Sequence, residues 1–431
     1  MMKLPHSTSI LFDQFIQELP SNYHEMAYEF KAFTRPRKIR SPLQLLEVVM
    51  LYCGMDFSLR SCAGQIAQMQ GYISDTAVND RLEACVPWVK ALLCSVFGFE
   101  KTLNSGSLRF IVIDGSTVQE PGAKETTYRL HVAIDLVNLT FHQVELTTDK
   151  QGEHLDHYCI GEGDVVLLDR GYNQPRTLVP FIDRGGDVIL RYNAHSMNLF
   201  SRDDAMEKID WQEKLHSLNE KPAALPVYLC YGDKRIEGYC HAIPLPEEKA
   251  QEARRKARQR AKKKGRTASK QTLYMSGWVL IFTSLPVEIL DTETASDIYR
   301  VRWQVELTIK RMKSLLDVDK LRAFKGGKLA ELYLHGKLLY AAIVEKVANR
   351  RFANAQTGMV NNRTITPWRL WHITTKAIGS TFVACFPYKE EYEIDSIISM
   401  TERPRKRKLQ TLPEPIFNLI GRCRKHNLSL V

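Results

Sequence analysis

The sequence predicts a mixed α/β protein with helical flanks, and three observations carry that prediction. Short runs rich in β-branched residues, "LRFIVID" at 108–114, "DVVLLDRGY" at 164–172 and "DVILRYN" at 187–193, have the length and apolar density of buried strands. Between the last two, "QPRTLVPFIDRGG" reads as a helix that opens on a proline and closes on glycines. Two further β-rich runs, "YRLHVAIDL" and "FHQVELTT", are separated only by "VNLT" and predict a hairpin. Strands alternating with a helix, beside a hairpin, imply a mixed sheet.

The elements can be justified in order. Residues 1–105 read as helical, with "SPLQLLEVVMLYCG" opening on a Ser41 cap and Pro42 at the first helical position. After it, "SLRSCAGQIAQMQGYISDTAVNDRLEACVPWVKALL" reads as a helix, a turn near Gly71 and a second helix capped by Ser74 or Asp75. That outline suits a DNA-reading helix-turn-helix and equally a plain helical hairpin. Residues 106–192 hold the strands and helix just described. Within 193–277, "PVYLCYGDKRIEGYCHAI" predicts a hairpin turning at Gly232 and Asp233, and "EEKAQEARRKARQRAKKKGRTASK" a basic, alanine-rich helix. Ten Lys or Arg fall between Arg254 and Lys270, more than a solvated face needs, so phosphate binding is the preferred reading. Residues 278–350 begin with the strand "WVLIFTSLP" and end in the amphipathic helix "GGKLAELYLHGKLLYAAIVEKVANRR". The segment 351–431 is a basic region containing "RPRKRK" at 403–408, suited to phosphates or to a subunit interface over DNA.

Composition narrows the function. The 431 residues are long for one core and predict two or three structural units. Sixty basic against 49 acidic residues, net +11, favour a polyanionic partner, nucleic acid ahead of a membrane surface. No run of about 18 apolar residues is present, so no membrane span is expected. The start, "MMKLPHSTSILFDQF", lacks a continuous apolar stretch and reads as a cytosolic protein. Nine cysteines without a C-x-x-C pair fit neither a disulfide framework nor a zinc knuckle.

The stretch "YRVRWQVELTIKRMK" at 299–313 reads as one helix. Ile298, Val301, Val305, Ile309, Met312 and Leu316 recur at steps of three and four, as a core-facing stripe does. Tyr299, Arg302, Glu306 and Lys313 fall within roughly 60° of one another along its border. Ordinary (i, i+4) pairing, Arg302 with Glu306 or Glu306 with Lys310, is the plain reading. Two aspartates give a sharper one. Asp114 and Asp169 each end a hydrophobic strand, the edge of an open α/β sheet where sites form, although a strand-end aspartate is also a common turn former.

The spacing Y-x2-R-x3-E-x6-K, met by Tyr299, Arg302, Glu306 and Lys313, resembles the signature of the insertion-sequence-four family of bacterial DDE transposases. "VIDGS" around Asp114 and "LLDRGY" around Asp169 are similar to that family's first two acidic motifs, in the right order. The resemblance covers roughly residues 106–345. It implies a ribonuclease-H-like core with Asp114, Asp169 and Glu306 as catalytic metal ligands. It also implies a β-rich insertion in the 136 residues between Asp169 and Glu306. Two Mg²⁺, with Mn²⁺ able to substitute, would activate water and stabilise the entering and leaving oxygens, and carboxylates are the ligands such hard ions prefer. Tyr299, Arg302 and Lys313 would hold backbone phosphates. A tryptophan at the place corresponding to Trp278 is implicated in relatives in stacking on a flipped base, and a core role for Trp278 is the equal alternative; Arg170 and Lys310 are further DNA-contact candidates. His131, His154 and His157 could be ligands, and Glu153 and Asp156 read as helix-start residues.

The expected activity is transposition: recognition of terminal inverted repeats, metal-dependent cuts at the element ends, and transfer of the 3′-hydroxyl strand to target DNA. Double-stranded DNA is the expected partner, a synaptic homodimer the expected assembly, and the bacterial cytoplasm, at the nucleoid, the expected place. The alternatives are a metal-dependent nuclease without strand transfer and a domesticated DNA-binding protein with vestigial acids.

Overall fold

The computed structural model describes residues 10–97, 108–120, 125–136, 140–202, 207–323, 326–356, 367–387 and 389–392, with 394, 395 and 398. The basic stretch at 403–408 lies outside them. Six helices come first: α1 (Ile10–Gln17), α2 (Tyr23–Glu29), α3 (Pro42–Cys53), α4 (Leu59–Gln70), α5 (Asp75–Ala84) and α6 (Val86–Phe97). Local signals set their ends. Ser41 accepts from Gln44 N with Pro42 following, and of the two cap candidates before α5 it is Ser74 that accepts, from Ala77 N. Gly71 ends α4 at φ 79, a conformation that strains any side chain with a Cβ.

Strands follow: β1 (Arg109–Val118), β2 (Tyr128–Asp135), β3 (Thr140–Thr148) and β4 (Asp164–Leu168). After α7 (Pro175–Asp183) come β5 (Asp187–Arg191), β6 (Phe200–Ser201), α8 (Trp211–Ser217), and the hairpin β7 (Ala223–Tyr231) and β8 (Lys234–Pro244). Next are α9 (Glu247–Lys263), α10 (Lys270–Met275), β9 (Trp278–Thr283), α11 (Thr292–Val301) and α12 (Trp303–Leu316). The long α13 (Lys328–Gln356) and α14 (Pro367–Ala384) follow, and a short helical turn lies at Glu390–Tyr392. Gly232, at φ 58, makes the expected β7–β8 turn.

The strands form one nine-stranded mixed sheet in the order β3-β2-β1-β4-β5-β9-β8-β7-β6. Only β1–β4 and β4–β5 pair in parallel. One apolar cluster packs the helices around α13 against one face, from Trp88 and Tyr340 to Val112 and Met312. The other face is covered by a second cluster, in which Leu178 and Phe181 of α7 meet Ile113, Leu168 and Phe282. The acids therefore sit on strands buried on both faces, the reason those strands read as continuous apolar runs. No helix among the described residues is long and apolar enough to cross a membrane.

Two expectations need correction. The 299–313 helix is not continuous: α11 ends at Val301 and α12 starts at Trp303. Around Arg302 the turn tightens, with Arg302 N donating to Tyr299 O and Val305 N to Arg302 O, both three residues back. The break re-aims the first turn, so Val301 is 41% exposed whereas Val305, Ile309, Met312 and Leu316 are buried. Asp114 also does not end its strand. β1 runs on to Val118 because Ser116–Val118 pair with Tyr128–Leu130 of β2. Only the parallel ladder with β4 stops short, at Val112 with Leu167.

Candidate active site

The parallel register brings the first two acids together. Two residues beyond its last pair, Val112 with Leu167, each chain reaches its aspartate, Asp114 and Asp169. Neighbouring strands run about 4.8 Å apart. Asp114 Oδ1 accepts from Gly115 N at 2.8 Å, and Asp169 Oδ1 from Gly171 N at 2.8 Å. The third acid arrives on α12, which packs across β1 and β2. Glu306 lies in that helix's first turn, where the helix dipole favours a negative charge.

Arg302 joins the acids. Its Nη1 is 3.5 Å from Asp114 Oδ2 and its Nη2 bonds Glu306 Oε1, with side-chain exposures of 15%, 17% and 33% for Arg302, Asp114 and Glu306. The plain (i, i+4) pair of Arg302 with Glu306 thus forms, but half-buried and shared with a second carboxylate. Burial first, and then the charges of Asp169 and Glu306, push the Asp114 carboxyl up to about 6, against the pull of the Gly115 amide and Arg302.

A second group of cations borders the acids. The Arg302 guanidinium lies 5.8 Å from the Tyr299 ring centroid. Burial raises the Tyr299 hydroxyl, offset by Arg302 and Arg191. Arg191, at the end of β5, was not singled out from sequence. It is pushed down to about 10 by burial and by Arg170, and its Nη2 reaches Trp278 O at 3.5 Å. Arg170 is lowered by burial and by Arg260 of the basic helix, against Tyr299. Neither Arg170 nor Arg191 makes an ion pair among the described residues. Arg170 borders a region rich in cations: a cavity of about 710 Å³ is lined by Arg170, Tyr192, Arg260, Lys263, Lys264 and Trp278. Trp278, 4% exposed, opens β9 opposite Pro244. It is packed in the core and borders the cavity, so its two readings are compatible.

The remaining candidates lie further out. Lys313 is half-buried and Lys310 exposed on α12, and neither forms an ion pair among the described residues. His131 is fully buried, bonded through Nε2 to Thr147 Oγ1 at 2.7 Å and stacked on His157 at 4.3 Å. Burial holds it down to about 4. His154 hydrogen-bonds Arg176.

The donors fit a hard divalent cation in kind: all three are carboxylates, and the charges of Asp169 and Glu306 reach and raise Asp114. As placed, with Arg302 between two of them, no group of three or more His, Cys, Asp or Glu side chains among the described residues is arranged to hold a metal ion. The guanidinium supplies the positive charge that the acids require.

Comparison with known proteins places the chain in a family. Residues 105–340 match the transposase DDE domain family. The putative transposase InsL for insertion sequence element IS186A of Escherichia coli (strain K12) is 28% identical over 76% of this chain and 90% of that protein. The transposase for IS421 of Escherichia coli is 28% identical over 76% and 91%. The transposase for IS231F of Bacillus thuringiensis subsp. israelensis is 33% identical over 75% and 78%. Among solved structures, the piggyBac transposase synaptic complex with hairpin DNA matches at 10% identity over 94% of this chain and 87% of that one, with a TM-score of 0.42, a likeness too low to fix a common fold. With more than half of its length inside the family's domain and relatives spanning three quarters of it, the chain belongs to the transposase DDE domain family and is a bacterial DDE transposase of the insertion-sequence-four group.

Proposed function

We propose that this transposase binds the terminal inverted repeats of its element, cuts the ends hydrolytically at Asp114, Asp169 and Glu306, and joins the freed 3′-hydroxyl to target DNA. The observation that supports it most is the register that sets Asp114 beside Asp169, with Glu306 tied to Asp114 through Arg302. The family implies use of a divalent metal ion. We assign two Mg²⁺, replaceable by Mn²⁺, to carboxylate oxygens of Asp114, Asp169 and Glu306. When bound, the ions supply an activated water and charge stabilisation at the entering and leaving oxygens.

The chain's own residues do the rest. Arg302, Tyr299, Lys313 and Lys310 bind backbone phosphates beside the acids, and the burial of Arg302 orients its guanidinium before DNA arrives. Arg170, exposed, and Arg191, half-buried, neither with a carboxylate partner among the described residues, bind a further phosphate, and Trp278 offers a stacking face at the cavity edge. Cations of α9 extend this track. The assembly we infer is a synaptic homodimer, on DNA at the nucleoid. In this reading the sheet is a ribonuclease-H-like core, 106–192 with 278–350, carrying a β-rich insertion at 193–277. A DNA-binding helical region, 1–105, precedes it and a basic region, 351–431, follows.

The test is cleavage of labelled duplex carrying the DNA that flanks the reading frame, with Mg²⁺ or with EDTA, by wild type and Glu306→Gln. Metal-dependent nicking at one fixed boundary, absent in the variant, is expected. Binding without cutting by wild type, on a paired-end substrate and with Mn²⁺ also tried, overturns the catalytic reading.

A further inference from the structure

The segment "KQGEHLDHY" between β3 and β4 places a glutamate before a single short turn, Leu155–His157, rather than at the head of a helix. Glu153 therefore caps nothing; the residue preceding that turn is His154, whose side chain makes no cap bond. Its carboxylate lies instead over two glycines that follow the catalytic aspartates. A Cβ added at Gly115 would meet Glu153 Oε1 at 3.0 Å. One added at Gly171 would overlap Glu153 Oε2 and lie 3.0 Å from Asp169 Oδ1. Neither glycine has a positive φ, so space and not backbone conformation requires them.

The carboxylate is held there deliberately by its backbone. Gln174 Nε2 donates to Glu153 O at 3.0 Å and to Gly171 O at 3.3 Å, tying this segment to the loop that carries Asp169. Among the described residues the Glu153 carboxylate has no hydrogen bond or ion pair, although the charge of Arg129 reaches it. A half-buried acid set against another acid, without a bonded cation, costs free energy unless a cation completes the group.

We propose that Glu153 is a fourth carboxylate of the catalytic centre, a ligand beside Asp169 for the divalent ion. The proposal rests on the assignment of Asp114, Asp169 and Glu306 as the metal-holding acids. Gly115 and Gly171 are then the floor that lets a fourth side chain reach a site already crowded by three. A carboxylate oxygen is the donor that hard divalent ions such as Mg²⁺ and Mn²⁺ prefer, so Glu153 adds a ligand of the same kind as the other three.

The experiment is Mn²⁺ titration of the full-length protein, read by the electron paramagnetic resonance of free Mn²⁺, with band-shift DNA binding and circular dichroism as controls of folding. Wild type should bind saturably and Asp114→Asn should lose that binding. Glu153→Gln should weaken Mn²⁺ affinity by about tenfold or more with DNA binding unchanged. Gly171→Ala, whose methyl would take the place of Oε2, should lose a comparable factor, and adding it to Glu153→Gln should cost nothing further. Glu153→Gln affinity within threefold of wild type, while Asp114→Asn loses the metal, overturns the proposal and leaves the three-acid centre standing. Unchanged binding in Asp114→Asn overturns the three-acid assignment, and this proposal with it.

Discussion

Replacing Arg302 with methionine tests whether its guanidinium is the counter-charge of the metal-free site. Methionine keeps most of the aliphatic packing and removes the charge, leaving Asp114 and Glu306 without their shared partner. At 3.5 Å the Asp114 interaction alone amounts to about 5 kcal/mol gross at an effective dielectric of about 20. Desolvation of the ions offsets part of it, and the exposure of Glu306 screens more, so the net loss should be about 2–3 kcal/mol. The sign with pH follows from Asp114, held at about 6 in the fold against an ordinary value near 3.8. Arg302 stabilises only its ionised form, so removing it raises the Asp114 carboxyl further; the deficit is full above the variant's higher value and is lost as pH falls to about 6. Scanning calorimetry in EDTA at pH 7.5 should show a midpoint several degrees below wild type. Saturating Mg²⁺ should narrow the gap, because ion and guanidinium neutralise the same acids. A variant midpoint equal to or above wild type in EDTA would refute the argument.

Three other outcomes are expected. Glu345 is buried, accepts from Phe141 N at 2.7 Å, and is pushed up to about 8 because burial outweighs Arg311 and Lys346. Its folded value exceeds the usual one of 4.5, so stability should fall as pH rises from about 4.5 to 8, by at most about 5 kcal/mol at about 1.4 kcal/mol per pH unit. Glu345→Gln should flatten that decline in denaturation curves between pH 5 and 8, and an unchanged slope would refute it. Asp56 binds the Lys337 ammonium at 2.8 Å and the Tyr333 hydroxyl at 2.6 Å, and Lys337 is 1% exposed. Asp56→Ala should therefore cost about 3–5 kcal/mol, and adding Lys337→Met should recover part of it in the same melting assay. Neutralising Arg260, Lys263 and Lys264 together should flatten the logarithmic dependence of DNA affinity on salt by about 2–3, whatever the sequence bound. A parallel line would show that the basic helix does not touch phosphate.

Features encoded within a few residues were legible in the sequence. The Ser41 cap, the Gly232 turn and the existence of strands at the apolar runs of β1, β4 and β5 each rest on local chemistry and form as read, and of the two cap candidates before α5 Ser74 is the one used. Glu306 stood out by the spacing of its motif, and Asp114 and Asp169 by their places at the ends of apolar runs. What escaped depends on contacts between distant segments. The break at Arg302 carries no glycine or proline to announce it and falls at the residue whose side chain contacts Asp114 and Glu306. Asp114 looked terminal because the apolar run ends there, whereas pairing with β2 carries the strand on to Val118. The hairpin of β7 and β8 was expected, but its membership of the same sheet depends on β9 accepting partners on both sides. Glu153 was passed over because its meaning lies in two glycines, one before it and one after it in sequence, that meet only through the β1–β4 register.

The pairing of β5 with β9 has a consequence for how the chain tolerates change. Arg191 faces Ile281 across an antiparallel ladder, and Tyr192 N donates to Leu280 O at 2.9 Å, so the segment between β5 and β9 begins and ends at one paired stem, while its own β6, β7 and β8 extend the sheet beyond β9. Everything between is an excursion closed at its base, whose length is uncoupled from the spacing of the three acids. Material can be grafted onto or trimmed from its tip, at the Gly232 turn or beyond α9, at little loop-closure cost. Variants of this chain with altered reach along DNA should therefore arise there by insertion and deletion, while the stem itself admits substitution only.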